Sequence, residues 1–158
     1  MKTQWLFTDG SVNTASKIGY GAYLLVPDLT LSLDSLKPGI KLKRFEQTSS
    51  SKLELQTLLW ALKEVQAYDA KFIVYTDSQN IIGLPGRRER LVRSNYYTKN
   101  HKRLRHFELY QAFYQISDQL NIAFVKISGH KAAGQKDQID QIFALVDQAS
   151  RAALRGFS

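Results

Sequence analysis

An α/β fold is what this sequence predicts: a single five-stranded mixed sheet, three antiparallel strands then two parallel ones, flanked by helices. Two observations carry that expectation. The apolar runs come in the order three strands, helix, strand, helices, strand, helix. Short links between the first three imply antiparallel pairing, and the later helix-containing crossovers imply parallel strands. Lys71-Phe72-Ile73-Val74-Tyr75-Thr76 is moreover a continuous apolar run, as expected of a strand in the middle of a sheet covered on both faces. At 158 residues and 18.0 kDa, with 44% hydrophobic residues for a core, the chain fits one domain spanning 1–158.

The elements follow in order. Gln4 to Thr8 is a short apolar run, the first strand. Ile18 to Val26 is the second, closed by Pro27, and its Gly19 and Gly21 predict close approach of a neighbour. Asp28 to Gly39 reads as a loop. Ile40 to Phe45 alternates with period two, as a third strand with one solvated face does. Ser51 to Tyr68 is a helix whose apolar positions cover so much of its circumference that it must be largely buried. After the strand Lys71–Thr76, a short helix begins at Ser78 and is expected to break at Gly83-Leu84-Pro85-Gly86. A basic segment, a helix from Leu104 to Leu120, a strand from Ile122 to Ile127 and a helix from Asp137 to Leu154, stopped by Gly156, complete the chain.

Composition excludes several classes of function. No apolar stretch approaches the ~18 residues of a membrane span. The first residues enter a strand with no signal-peptide core. With no cysteine there is no disulfide framework, thiolate metal site or cysteine nucleophile. The expectation is a soluble cytoplasmic monomer without a membrane partner. The formal charge of +8 and pI near 9.7 suit a polyanionic partner. The charge is concentrated: Arg87, Arg88, Arg90, Arg93, Lys99, Lys102, Arg103 and Arg105 share one segment with Tyr96, Tyr97, His101 and His106. Charge runs are most often solvated faces, but this clustering with tyrosines points to phosphate tracking.

Four carboxylates stand where a folded chain ordinarily avoids them. Asp9 and Asp77 end apolar strand-like runs, and Glu54 and Asp147 lie in apolar helical patterns. Each also has an ordinary explanation. Asp9-Gly10 suits a turn, and Ser51 with Glu54 suits a capping box. Asp77 suits a helix N-cap, and Asp147 a solvated helix position. A buried carboxylate is costly unless paired or bound to metal. Four in this order of elements suggest a centre for hard divalent cations, which prefer oxygen ligands.

With Asp9-Gly10-Ser11, Glu54, Thr76-Asp77-Ser78, Gly129-His130 and Asp147 in sequence on the expected elements, the chain resembles the type 1 ribonucleases H from Leu6 to about Arg155. The resemblance implies an RNase H-like fold. It also implies an endoribonuclease that cuts the RNA strand of RNA/DNA hybrids with two Mg2+ or Mn2+ ions, leaving a 5′-phosphate and a 3′-hydroxyl. It makes Asp9 the ligand shared by both ions, puts Glu54 and Asp77 on one and Asp147 on the other, and makes His130 the residue that assists water activation or product release. Gln79 matches a residue that contacts the hybrid's minor groove, where 2′-hydroxyls distinguish RNA. Ser50 falls where the family usually has an Asn reading a 2′-hydroxyl, and Asn13 stands in for another such contact. The basic segment sits where some members carry a DNA-gripping protrusion, so Arg87, Arg88 and Arg90 are expected to contact phosphates.

The last carboxylate has two candidates. The family's usual spacing from the histidine points to Asp140, whereas the run Asp147-Gln148-Ala149-Ser150-Arg151-Ala152-Ala153 matches the family's helix better. The two lie two turns apart on one helical face. An N-terminal extension of the helix reconciles them, and Asp147 is assigned. Two other readings compete with the nuclease: a nucleic-acid-binding module of the same fold without turnover, and another nuclease of the superfold. Retention of all four carboxylates argues against the first. Asp9-Gly10-Ser11, where an exonuclease would show Asp-x-Glu, argues against the second.

Overall fold

The computed structural model describes residues 1–128 and 137–157. Its sheet contains β1 (Lys2–Asn13), β2 (Ile18–Val26), β3 (Lys41–Phe45), β4 (Ala70–Thr76) and β5 (Asn121–Lys126), in the order β3-β2-β1-β4-β5. β1 pairs antiparallel with β2, and β2 with β3. β4 lies parallel to both β1 and β5. This is the mixed sheet that the order of apolar runs predicts.

Side chains alternate across the sheet, so Leu6 and Phe7 enter different cores. On one face α2 (Ser50–Val65) and α4 (Phe107–Gln119) cover Leu6, Phe72 and Val74, with Leu55, Leu58, Leu62 and Phe113 filling the space. On the other, α5 (Gln138–Phe157) lays Ile142, Phe143 and Val146 over Phe7, Ala22, Leu24 and Val26. α2 lies unusually low. Cβ atoms at Gly19 and Gly21 would press on Leu53 and Thr57 respectively, so the bare backbone of β2 admits the start of the helix.

Several boundaries differ from expectation, each for a physical reason. β1 does not stop at Thr8 but runs to Asn13. Asp9-Gly10 therefore lies inside the strand, with Asp9 opposite Ala22 and Gly10 opposite Gly21, and is not a turn. The turn comes later, where the Asn13 carboxamide oxygen accepts from the amides of Ala15 and Ser16 and Lys17 adopts φ 59°. The expected loop 28–39 contains α1 (Leu33–Leu36), capped by Ser32, and a 3-10 turn at Lys37–Gly39. β3 is exposed on both faces as the sheet's edge, not on one.

The largest departure is α3 (Gln79–Arg93), which passes straight through Gly83-Leu84-Pro85-Gly86. Pro85 cannot donate to the carbonyl four residues back. Side chains satisfy carbonyls nearby: the Tyr114 hydroxyl donates to Leu84 O at 2.6 Å, and Arg87 Nη2 to Asn80 O at 2.9 Å. Ile81 and Leu84 are buried, so tertiary packing overrides local propensity. α5 likewise continues through Gly156.

Candidate active site

The topology brings the four carboxylates to one end of the central strands. β1 presents Asp9 at its middle, and Asp77 follows the last residue of β4, beside β1. α2 brings Glu54 over one face of the sheet, and α5 brings Asp147 from the other. Asp9, of the same parity as Phe7, points towards α5 and is hydrogen-bonded to Asp147. A void of about 10 Å³ is lined by Thr8, Asp9, Gly10, Glu54, Thr57, Thr76 and Asp77. An adjoining cleft of about 170 Å³ is bounded by Asp9, Glu54, Asp77, Val12, Leu53 and Ser50.

Gathering these groups shifts their titration. Burial, then the Asp77 charge and the hydrogen bond to Asp147, push Asp9 up to about 8, against the opposing pull of the Gly10 amide. Burial also raises Glu54, with Asp77 adding to it and the Ser78 hydroxyl opposing. Asp77 is raised by its surroundings and by Asp147, with Lys126 pulling the other way. A hydrogen bond between Asp9 and Asp147 needs one shared proton, as the raised Asp9 supplies.

Protein partners hold the rest of the cluster. Ser78 caps α3 by accepting from the Ile81 amide, and its hydroxyl donates to Glu54 Oε2 at 2.7 Å. Arg151 Nε donates to Asp147 Oδ1 at 3.0 Å across one helical turn. Ser150 Oγ, fully buried, donates to the Asp147 carbonyl and lies 2.9 Å from Ser11 Oγ, tying α5 to β1. Among the described residues, no three His, Cys, Asp or Glu side chains close to the spacing of ligands around one ion. The donor set is nonetheless all oxygen around a small space, and it suits a hard divalent cation. Such a cation would also offset the mutual repulsion that raises Asp9, Glu54 and Asp77.

The other predicted residues fall in varied settings. Asp140 is 8% exposed and exchanges hydrogen bonds with Asp137: its Oδ2 accepts from the Asp137 amide, and its own amide donates to Asp137 Oδ1. That reciprocal pair caps α5. His130 lies outside the described residues. Ser50 sits on the cleft, while Ser49 caps α2 by accepting from the Lys52 amide. The alternative of a capping box between Ser51 and Glu54 is therefore not realised, and Glu54 turns to Ser78 instead. Asn13 spends its oxygen on the β1–β2 turn. Gln79 is exposed at the start of α3 and accepts from Lys126 Nζ at 2.8 Å.

The three arginines on α3 are not equivalent. Arg87 donates to the Asn80 carbonyl and side-chain oxygens. Arg88 is bidentate on Asp118 at 2.6 and 2.7 Å and lies over the Tyr114 ring. Arg90 is exposed. Beyond α3, Tyr97 and Arg103 bridge as a small antiparallel pair, Arg103 stacking on Tyr97 and Phe107, so Lys99 to Lys102 form an exposed tip.

Sequence reasoning missed Lys126, Ser150 and the role of Ser78. The Lys126 charge acts on Asp77 because β4 and β5 pair Thr76 with Lys126, a register that no local pattern reports. Ser78 had a signal, since a hydroxyl directly after a strand-end aspartate can cap the next helix and still reach a neighbour.

A five-stranded mixed sheet with carboxylates gathered where β1 and β4 adjoin defines the class of protein. The chain belongs to the RNase H family, whose model matches residues 1–150. Among solved structures it is similar to the RNase H domain of prototype foamy virus: 14% identity, 94% of this chain and 92% of that one, TM-score 0.75. It is similar to LC11-RNase H1 in complex with an RNA/DNA hybrid: 18% identity, 96% and 99%, TM-score 0.60. It is also similar to the foamy viral protease-reverse transcriptase in complex with double-stranded DNA: 10% identity, 94% and 92%, TM-score 0.65. At these identities the likeness is one of fold. A search of curated proteins returns no match.

Proposed function

We propose that this protein is an endoribonuclease that hydrolyses the RNA strand of RNA/DNA hybrids, with Asp9, Glu54, Asp77 and Asp147 holding two divalent cations. The observation that carries this reading is the convergence of Asp9, Glu54 and Asp77 on the void and cleft beside the end of β4, with Asp147 held against Asp9. Family membership supports the ribonuclease class, and LC11-RNase H1 is itself in complex with an RNA/DNA hybrid. Two bound Mg2+ or Mn2+ ions would supply activation of the attacking water and stabilisation of the leaving oxygen.

The chain's own residues supply the rest. Asp9 interacts with both Asp77 and Asp147, which supports its role as the ligand shared by the two ions. Glu54, steadied by Ser78, would complete one ion's set with Asp77, and Asp147 would complete the other's. Ser50 on the cleft and Gln79, exposed at the start of α3, would contact the minor groove, where 2′-hydroxyls distinguish RNA. Water would bond to phosphorus as the bond to the 3′ oxygen breaks, leaving a 5′-phosphate and, after proton uptake, a 3′-hydroxyl. His130 would assist this water or the departing product. The basic tip and Arg90 would position the duplex through its phosphates.

The test is a labelled RNA/DNA hybrid beside duplex DNA, duplex RNA and single strands, each with Mg2+, Mn2+ or EDTA. Metal-dependent cleavage of the RNA in the hybrid alone is expected. Binding without cleavage in either metal would replace this reading with that of a binding module.

A further inference from the structure

Thr57 is the residue of this site that nothing so far explains. It lies one turn after Glu54 on α2 and is 1% exposed, and its hydroxyl has no hydrogen-bond partner. A threonine within a helix ordinarily satisfies its hydroxyl on a carbonyl of the preceding turn. This one does not. Packing gives the reason for its placement: Thr57 sits against the bare Cα of Gly21, where any Cβ would overlap its side chain. Thr57 also lines the void of about 10 Å³ whose walls include Asp9, Glu54 and Asp77.

We propose that this void binds one ordered water held by the Thr57 hydroxyl, which makes Thr57 a positioning residue for the carboxylate cluster. The proposal rests on the functional reading above only for its consequence, not for the water itself. The size fits, because a cavity needs ~10–15 Å³ of probe-occupied volume to hold a water. The chemistry fits as well. Ionised carboxylates only accept, whereas Thr57 carries a proton with no acceptor. A water accepting from Thr57 and donating both protons to carboxylate oxygens satisfies every group at once, within the two to four partners such waters need. The water would fix the inner carboxylate oxygens from behind and leave their outer oxygens to the cleft, where cations would enter. Thr57 thus acts at one remove, through the water and then through the ligands.

The experiment uses the full chain and two variants. Thr57→Val keeps the shape that packs on Gly21 but removes the hydroxyl, and Thr57→Ser keeps the hydroxyl. A high-resolution crystal structure of the wild type should show a water within hydrogen-bonding distance of Thr57 Oγ1, retained in Thr57→Ser and lost in Thr57→Val. Calorimetric titration with Mn2+ should show affinity weakened about 10-fold in Thr57→Val, the low end for loss of an outer partner, and restored in Thr57→Ser. Hybrid cleavage should follow, with a higher half-saturating Mn2+ concentration and a deficit that shrinks as Mn2+ is raised. A dry void in the wild type, or equal Mn2+ affinity in wild type and Thr57→Val, overturns the proposal. Failure of the functional reading looks different: the water is present and hydroxyl-dependent, yet the wild type neither binds Mn2+ nor cleaves hybrid.

Discussion

Asp9, Glu54, Asp77 and Asp147 come from one strand, the residue just past another, and two helices at widely separated points of the chain, whereas Arg87 to Arg105 is one continuous stretch of helix and loop. In the acidic centre like charges are held close together and partly withdrawn from water, and Asp9 is pushed up to about 8 as a result. In the basic stretch several cations have found local partners: Arg88 on Asp118, Arg93 on Glu89, Arg103 on two rings. The first arrangement keeps repulsion that Arg151, Lys126 and the Ser78 hydroxyl offset only in part. The second is close to relaxed. A site whose charges are only partly relieved is poised for a counter-charge from outside, and a surface whose charges are paired has less to offer a partner than its composition suggests.

That contrast is broken most directly at its acidic end. Asp9→Asn or Asp77→Asn should abolish metal-dependent cleavage of a hybrid. In metal-free buffer the same variants should melt higher than wild type, because each removes repulsion within the cluster. A gain of ~1 kcal/mol would raise Tm by roughly 2–4 °C for a chain of this size. Undiminished hydrolysis by either variant, measured with Mg2+ present, would remove these residues from the site.

The next effect separates the two acids of α5. Asp147→Asn should reduce turnover by at least the ~10–100-fold typical of losing a residue that merely supports a metal ligand. Asp140→Asn should leave turnover far closer to wild type and lower Tm, since Asp140 caps the helix with Asp137. Kinetics and melting curves on the same two preparations decide it, and a reversal of the pattern would move the centre along α5.

A smaller effect is thermodynamic. Asp9 stands above its ordinary value of 3.8, so between that value and about 8 the unfolded chain releases a proton that the fold retains. Its contribution to stability therefore falls as pH rises through that window and levels off above it. Wild-type Tm without metal should show this decline, and Asp9→Asn should flatten it. Mn2+ at pH 8 should recover the loss, as ligand binding to the folded state does. An identical pH profile for wild type and Asp9→Asn would mean that Asp9 is not raised.

Much of this architecture was legible before any coordinates, and what was not has identifiable causes. The sheet was readable because apolar runs and link lengths are local properties, and β2 fell at the very bounds its pattern gave. The carboxylates stood out because each contradicts its apolar context. Asp9-Gly10 could pass for a turn because its true setting, opposite Ala22 and Gly21 in a hairpin, is a pairing between strands. Gly83, Pro85 and Gly86 misled as a break because burial of Ile81 and Leu84 holds α3 together. Thr57, Lys126 and Ser150 were silent because ordinary residues acquire roles only from what the fold sets beside them.

The smallest effects lie in the basic stretch, where the comparison can be sharpened residue by residue. Each Lys or Arg contact to phosphate contributes ~0.9 to the slope of log K against log salt on B-form DNA, and a hybrid should respond to a similar order. Exposed Arg90 is available for such a contact, whereas Arg87 is committed to Asn80 and Arg88 to Asp118. Arg90→Ala should therefore flatten the slope for hybrid binding by up to ~0.9 and leave Tm alone. Arg87→Ala should do the reverse, lowering Tm as the Asn80 oxygens lose their donor while the slope barely moves. Arg88→Ala should resemble Arg87→Ala more weakly, because an exposed ion pair contributes little. Salt-dependent binding and melting of the three variants test this in parallel. Equal slope changes in all three would show that the duplex draws Arg87 and Arg88 from their partners, and the paired arginines would then belong to the phosphate-binding surface after all.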